Sequence, residues 1–343
     1  MSIFDIFNND AFKGVSMLES VDSVEFKPSR LGSMGVFQPT PIRTESIAIE
    51  SRNNGLSLIK TTQRGEPVKQ RTNDKRLLRN FNTVRIAKED RISASEIAFI
   101  REHGEEQQVI MLQAELARRM TGAGGLVDDI DYTMEHMRLG AIQGKVLDAD
   151  GSTVIYDWFS EFNITQATEI GFNLAAISPG DLRDQCSKLK RAMSRASGGT
   201  WTPSTRIHAM CGDNFWDALI KVDEVRAVYL NRQDSQYVEN GGAYETINYG
   251  GITWENYQGS DDSTEVAIPV DEVKFFPVGG KGAFLEVFSP GEKFEHIGQL
   301  GQIIYPEIVR DVLRDRYVDL EVSTYPLHVC TRPAMLQRGR VGV

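Results

Sequence analysis

The first ninety residues constrain this chain more than any other stretch, because they carry no core of their own. From Met1 to Arg91 there are short apolar runs, four prolines (Pro28, Pro39, Pro41, Pro67), scattered glycines and one dense basic segment, with no sustained helical stripe. A segment that cannot bury its own apolar groups must lie on another surface or stay disordered. The rest of the chain has the composition of an ordinary globular protein. An extended arm in front of a compact body is the arrangement of a subunit that grips its neighbours.

The 343 residues, 41% of them hydrophobic, leave room for two compact units, at roughly 100–200 residues per domain. No run approaches the ~18 consecutive apolar residues of a membrane span. The start, Met1-Ser2-Ile3-Phe4-Asp5, lacks the basic region of a signal peptide. The expectation is a soluble protein made in the cytoplasm, with no membrane partner. Cys186, Cys211 and Cys330 are odd in number and far apart, which argues for small buried residues rather than a disulfide framework.

Net charge is −10, unevenly placed. Between Arg52 and Arg91 stand eleven basic and four acidic residues, leaving 27 basic and 44 acidic elsewhere. A +7 segment on a −17 remainder is complementary between copies. A solvated loop and a nucleic-acid contact are the other readings. The acidic remainder would repel DNA, which weakens the last of them.

Along the chain, residues 51–90 read as a long two-stranded hairpin or loop that turns at Gly65-Glu66-Pro67. Ser93 and Glu96 have capping-box spacing. Val109, Leu112, Leu116 and Met120 form one helical stripe, and Leu126, Ile130, Met134, Met137 and Ala141 a second. Gly122, Gly124 and Gly125 interrupt or bend the helix between them. Asp128, Asp129 and Asp131 sit at the second start, where they suit the positive end of the helix dipole. Val154–Phe159 reads as a strand, and Ser178-Pro179-Gly180-Asp181 as a helix start capped by Ser178. Arg316–Cys330 alternates like one long strand.

Motifs for chemistry are missing. Gly280-Lys281 is followed by Gly282, and Phe275 stands where a phosphate loop needs its first glycine. Gly122–Gly125 lies between helices, not after a strand, so it is no dinucleotide fingerprint. His208 with Cys211 and His328 with Cys330 are pairs, too few ligands for a closed zinc site. There is no nucleophile elbow. No catalytic, cofactor or metal residue is nominated.

The order of elements (arm, basic loop, long helix, strand, mixed body, return strand) resembles that of the lambda-type major capsid proteins, the phage major capsid protein E family, built on the Hong Kong 97 fold. The likeness is strongest in Tyr132–Val146, with Thr133, Glu135, Ala141 and Gly144-Lys145, and in Pro326-Leu327-His328-Val329-Cys330-Thr331-Arg332-Pro333. The latter is similar to the family's closing Pro-Leu-x-Val-x-x-Arg-Pro.

The resemblance implies an α+β Hong Kong 97-type capsid fold. Residues 1–50 would be the N-terminal arm and 51–90 the extended loop lying across a neighbour. Residues 91–169 and 286–343 would form the peripheral domain with its spine helix, and 170–285 the axial domain. It implies a tailed-phage coat protein, not an enzyme, that assembles with itself as hexamers and pentamers into an icosahedral shell around packaged double-stranded DNA. The DNA would be held without sequence-specific contacts. Portal, scaffold or maturation protease, and a decoration protein, are the further partners implied. Arg64, Lys69, Arg71, Arg76 and Arg79 are the expected loop-side charges, and Gly122, Gly124 and Gly125 the expected hinge. A cargo-enclosing, encapsulin-like shell and a soluble α/β enzyme are the competing readings.

Overall fold

The computed structural model describes residues 30–51, 77–93, 96, 115–122, 124–227, 246–257, 267–314 and 316–342. Two of the three cores among these residues are built on helix α3, Leu126–Gln143. Of its eighteen residues, twelve are buried, so it sits between cores rather than on the edge of one. Its length is about 27 Å at 1.5 Å per residue.

The amino-terminal half of α3 sends Leu126, Ile130 and Met134 into a core with Ile92, Leu320 and Val322. The last two lie on β14, Tyr317–Thr324, the middle strand of a sheet with β13, Tyr305–Arg310, and β4, Ile86–Ser93. The carboxy-terminal half sends Met137, Ala141 and Ile142 into a second core with Trp158, Phe284 and Leu327. There β12, Phe284–Phe288, pairs with β15, Pro326–Cys330, and in parallel with β1 of the arm, Gln38–Pro41. Gly144 stops α3 at φ +88, and a Cβ there would lie 2.2 Å from a Phe159 ring carbon, so only glycine fits.

A third core is separate from α3. Helices α5, Asp181–Ala196, and α6, Asp213–Lys221, pack on a six-stranded sheet ordered β7-β16-β11-β8-β10-β9. Those strands are Ile170–Gly171, Gln337–Arg340, Glu272–Val278, Arg206–Cys211, Ile252–Asn256 and Thr246–Tyr249 respectively. Trp254, Phe172, Phe215 and Phe275 form its aromatic centre. The predicted α5 stripe of Leu182, Cys186, Leu189 and Met193 is buried there.

Several local expectations change. The described part of the arm lies on its own chain, with Leu31 and Phe37 in the second core. Ile86–Asp90, read as part of a hairpin or loop, belong to a strand that runs on to Ser93 and pairs not within the hairpin but with β14, in an eight-residue antiparallel register. The strand at Val154 (β6) stops at Asp157, whose carboxylate accepts from the amides of Phe159 and Ser160 and starts helix α4, Trp158–Glu161. α5 is capped by Gly180, in a left-handed conformation, and not by the Ser178 side chain. The strand expected over 316–330 is two, because Pro326 has no N–H to continue a ladder and the halves join different sheets. Asp131 is buried rather than solvated.

Candidate assembly and hinge elements

The hairpin has a built root. β2, Ser46–Ser51, pairs with β3, Leu77–Asn82, in the register Ser46↔Asn82. Phe81 anchors it, packed edge-on against Tyr156 and Trp158 at 5.7 and 5.2 Å, and the Asn82 amide donates to the Tyr156 hydroxyl at 3.0 Å. Arg79 is half-buried, with its guanidinium 5.7 Å from the centre of the Phe162 ring of the same chain. Arg64, Lys69, Arg71 and Arg76 lie outside the described residues.

The three glycines occupy the gap between helix α2, residues 115–121, and α3. Gly122 closes the last turn of α2 by donating to Arg118 O at 2.9 Å, and Gly125 donates to Gly122 O at 2.7 Å. A Cβ at Gly122 would meet Arg118 O at 2.4 Å, whereas Gly124 is open but held at φ +74. Strand β4 splints the gap: Asp90 reaches Arg119 of α2 at 3.4 Å, and Lys88 reaches Asp129 of α3 at 2.5 Å. Glu115, which also binds Arg119, has its carboxyl lowered to about 2 by hydrogen bonds from Arg118 and Arg119. A cleft of about 340 Å³ at the gap is lined by Lys88, Asp90, Arg118, Arg119, Asp129 and Gly124. At the start of β4's neighbouring segment, Ser93 and Glu96 make the reciprocal capping-box bonds at 3.2 and 3.4 Å.

Alanine at Gly124 meets no atom and costs roughly 1–2 kcal/mol of left-handed strain. Proline fixes φ near −65° and removes an N–H that here donates to Asp128 Oδ2 at 2.9 Å. We expect Gly124→Ala to give normal particles in electron micrographs and Gly124→Pro to give none that mature. Normal mature particles from the proline variant would exclude the hinge.

Asp131, Glu135 and Arg138 form a buried polar stripe on α3. Arg138 donates through Nε and Nη2 to Glu286 Oε1 of β12 at 3.0 and 2.8 Å. Its Nη1 lies 3.7 Å from Glu135 and 4.0 Å from Asp131. His328 of β15 binds the same Glu286 oxygen through Nε2 at 2.9 Å. Burial lowers the His328 pKa, against the hydrogen bond and charge of Glu286 that raise it, and Nδ1 is buried without a hydrogen-bond partner. For Glu286, burial pushes upward, but the His328 bond and the Arg138 charge outweigh it and hold the carboxyl at about 2. For Asp131, burial dominates and pushes the carboxyl up to about 7, with Arg138 opposing and Glu135 assisting.

A related pair lies nearby. Glu255 of β10 accepts both Nε and Nη2 of Arg30 and a bond from His208 at 3.0 Å. Those bonds outweigh burial and keep its carboxyl below the usual range. Sequence reading missed both networks. Arg138 and Glu286 are 148 positions apart, and Arg30 and Glu255 are 225 apart, so no local spacing announces them. The histidines it singled out are carboxylate partners. Among the described residues no group of three or more His, Cys, Asp or Glu is placed to hold a metal, and all three cysteines are free and buried.

Large apolar side chains stand in solvent along one stretch: Phe294, Ile297, Leu300 and Ile303, then Val312 and Leu313 beyond β13. Phe294 and Leu313 are 94% and 96% exposed. No helix among the described residues is long and apolar enough to cross a membrane.

Comparison with known proteins places these features. The family profile described as phage major capsid protein E matches residues 14–341. The chain is 25% identical over 348 residues to the major capsid protein of Salmonella phage Felix O1, covering 92% of each. It is 22% identical over 321 residues to that of Pseudomonas phage KPP10, covering 90% of each. Its fold is similar to a subunit in the capsid asymmetric unit of cyanophage A-1(L), with a TM-score of 0.52, 11% identity, and coverage of 93% of this chain and 94% of that one. The architecture is therefore the α+β Hong Kong 97 capsid fold. With a buried central helix, a hairpin rooted on an aromatic cluster and a family match that runs almost end to end, the chain belongs to the phage major capsid protein E family.

Proposed function

We propose that this chain is the coat subunit of a tailed-phage head, assembling as hexamers and pentamers into an icosahedral shell around packaged double-stranded DNA. The observation that carries the reading is the hairpin root. It is locked onto the body by Phe81, and the 25 residues it leads into, 52–76, hold seven basic and two acidic side chains. The remainder of the chain is acidic, so one copy's loop is complementary to the next copy's body. Such charges set register and association rate more than affinity. A head-to-tail contact between different surfaces closes into rings.

The proposed division follows the cores in part, since β16, Gln337–Arg340, joins the six-stranded sheet from the peripheral range and Met210 and Phe276 pack in the core beside α3. Residues 170–285 make an axial domain around the six-stranded sheet, whose core draws its fully buried members from Phe172 to Phe275. Residues 91–169 and 286–343 make the peripheral domain around α3, with 1–50 as arm and 51–90 as loop. The glycine gap would let the spine helix change its bend when the shell expands. Portal, scaffold or maturation protease, and a decoration protein, are the proposed partners, with a structural and not a catalytic role for the subunit. Electron microscopy and sedimentation of the purified protein test this. Closed shells, tubes or capsomer rings are expected. A monomer or dimer that persists at high concentration with scaffold added would overturn it.

A further inference from the structure

We infer that Asp131, Glu135 and Arg138 of α3, with Glu286 of β12, form a proton-sensitive latch that holds the root of the N-terminal arm, Arg30 and Leu31, against the body. The arm enters the described structure in helix α1, Arg30–Ser33, and two carboxylates from different cores hold it. Glu255 takes the Arg30 guanidinium, and Glu135 Oε1 accepts the Leu31 amide at 2.8 Å and the Tyr257 hydroxyl at 3.3 Å. Leu31 itself is fully buried. Glu135 is thus the hinge-pin of the arrangement: one oxygen holds the arm, and the other, buried and without a hydrogen-bond partner, faces Arg138.

The cluster has more carboxylates than cations. Glu286 engages two of the guanidinium nitrogens, leaving Asp131 and Glu135 to share the longer approach of Nη1. Other charges are engaged elsewhere. Asp128 adds a like charge on the same helix. From the packed elements, Lys88 of β4 is bound to Asp129, Lys274 of β11 to Glu272, Arg30 of α1 to Glu255, and His328 of β15 to Glu286. With its proton, Asp131 adds no charge beside Glu135. Without it, a second buried anion repels Glu135 and competes for Arg138, and the Leu31 anchor weakens.

The direction follows from linkage. Burial raises the Asp131 carboxyl from its ordinary 3.8 to about 7; with undocking of the arm readmitting water to it, the docked state binds the proton more tightly than the opened one. The latch loses strength as pH rises from about 4 to about 7 and changes no further above that. Glu286 and Glu255 are held below the ordinary range and are constant above pH 5. His328, lowered by burial, acts in the opposite sense, so the Asp131 contribution is the difference between wild type and Asp131→Asn.

The test is hydrogen exchange of peptides spanning 30–37 at pH 5.0 and 7.5, corrected for intrinsic rate, in particles and in unassembled subunits. Relative to Asp131→Asn, wild-type protection should fall about 10–100-fold between the two pH values. Glu135→Gln keeps an acceptor for Leu31 and removes the repelling charge, so the ratio of its protection at pH 5.0 to that at pH 7.5 should be smaller than the wild-type ratio, whatever its protection at pH 5.0. Identical pH dependence in wild type and both variants would overturn the latch. Because unassembled subunits give the same readout, an absence of shells would count against the assembly reading and not against this one.

Discussion

Replacing Arg138 with methionine should lower the subunit's stability at pH 7.5 by about 3–5 kcal/mol, the cost of leaving a buried carboxylate without its cation. The residue is 7% exposed and binds Glu286, which is itself buried. Methionine fills the volume but leaves Glu286, Glu135 and Asp131 with no guanidinium among them. In thermal unfolding the midpoint should drop by roughly 5–15 °C. Glu286 sets the pH dependence. Its wild-type carboxyl, held at about 2, contributes stability that is present above the unfolded pKa of ~4.5 and lost as pH falls through 2. The variant's deficit should therefore be largest above pH 5 and narrow towards pH 3. Adding Glu286→Gln, which still accepts from His328, should recover at least half of the loss. A variant within about 1 kcal/mol of wild type at pH 7.5 would show that the ion cluster does not hold α3 to β12.

Reversing three loop charges together, Arg64→Glu, Lys69→Glu and Arg71→Glu, should abolish closed shells while leaving the unassembled subunit's melting point unchanged. The change moves the 52–76 segment from seven basic and two acidic residues to four basic and five acidic. A loop that complemented an acidic neighbour would then repel it. Any one of these residues changed to alanine should do little, since an exposed ion pair contributes about 0.2–1 kcal/mol. The contrast between single and triple variants is the diagnostic. Wild-type assembly should also slow as salt rises, because the screening length is already about 10 Å at 0.1 M. Normal shells from the triple variant, seen by electron microscopy, would remove the loop's electrostatic role.

Local signals carried much of the fold. The α3 stripe Leu126, Ile130, Met134, Met137 and Ala141 and the α5 stripe Leu182, Cys186, Leu189 and Met193 are buried as their spacing predicts. Ser46–Ser51 and Leu77–Asn82 pair on either side of the expected turn, and residues 52–76 around Gly65 lie outside the described residues. The glycines after Thr121 do break the helix, because Gly122 has no room for a Cβ and Gly124 takes a left-handed turn. The errors fall where a residue answers to a distant partner. Ile86–Asp90 read as hairpin or loop, and their strand partner is the distant β14; the strand over 316–330 is divided by the separate sheets its halves join.

By itself, then, the sequence determined the two long helices α3 and α5, where the first of them is interrupted on its amino-terminal side and which family the order of pieces matches. These depend on spacing within a few residues, where backbone geometry acts directly. Tertiary structure alone decided what Asp131, Glu135 and Arg138 are for. On a helix their spacing is that of any solvated face. They become a buried ion cluster only because Glu286, His328 and the arm residues Arg30 and Leu31 close over them. The charge state of a carboxylate follows from how much water surrounds it and which charges replace that water, and both are supplied by segments more than a hundred residues away.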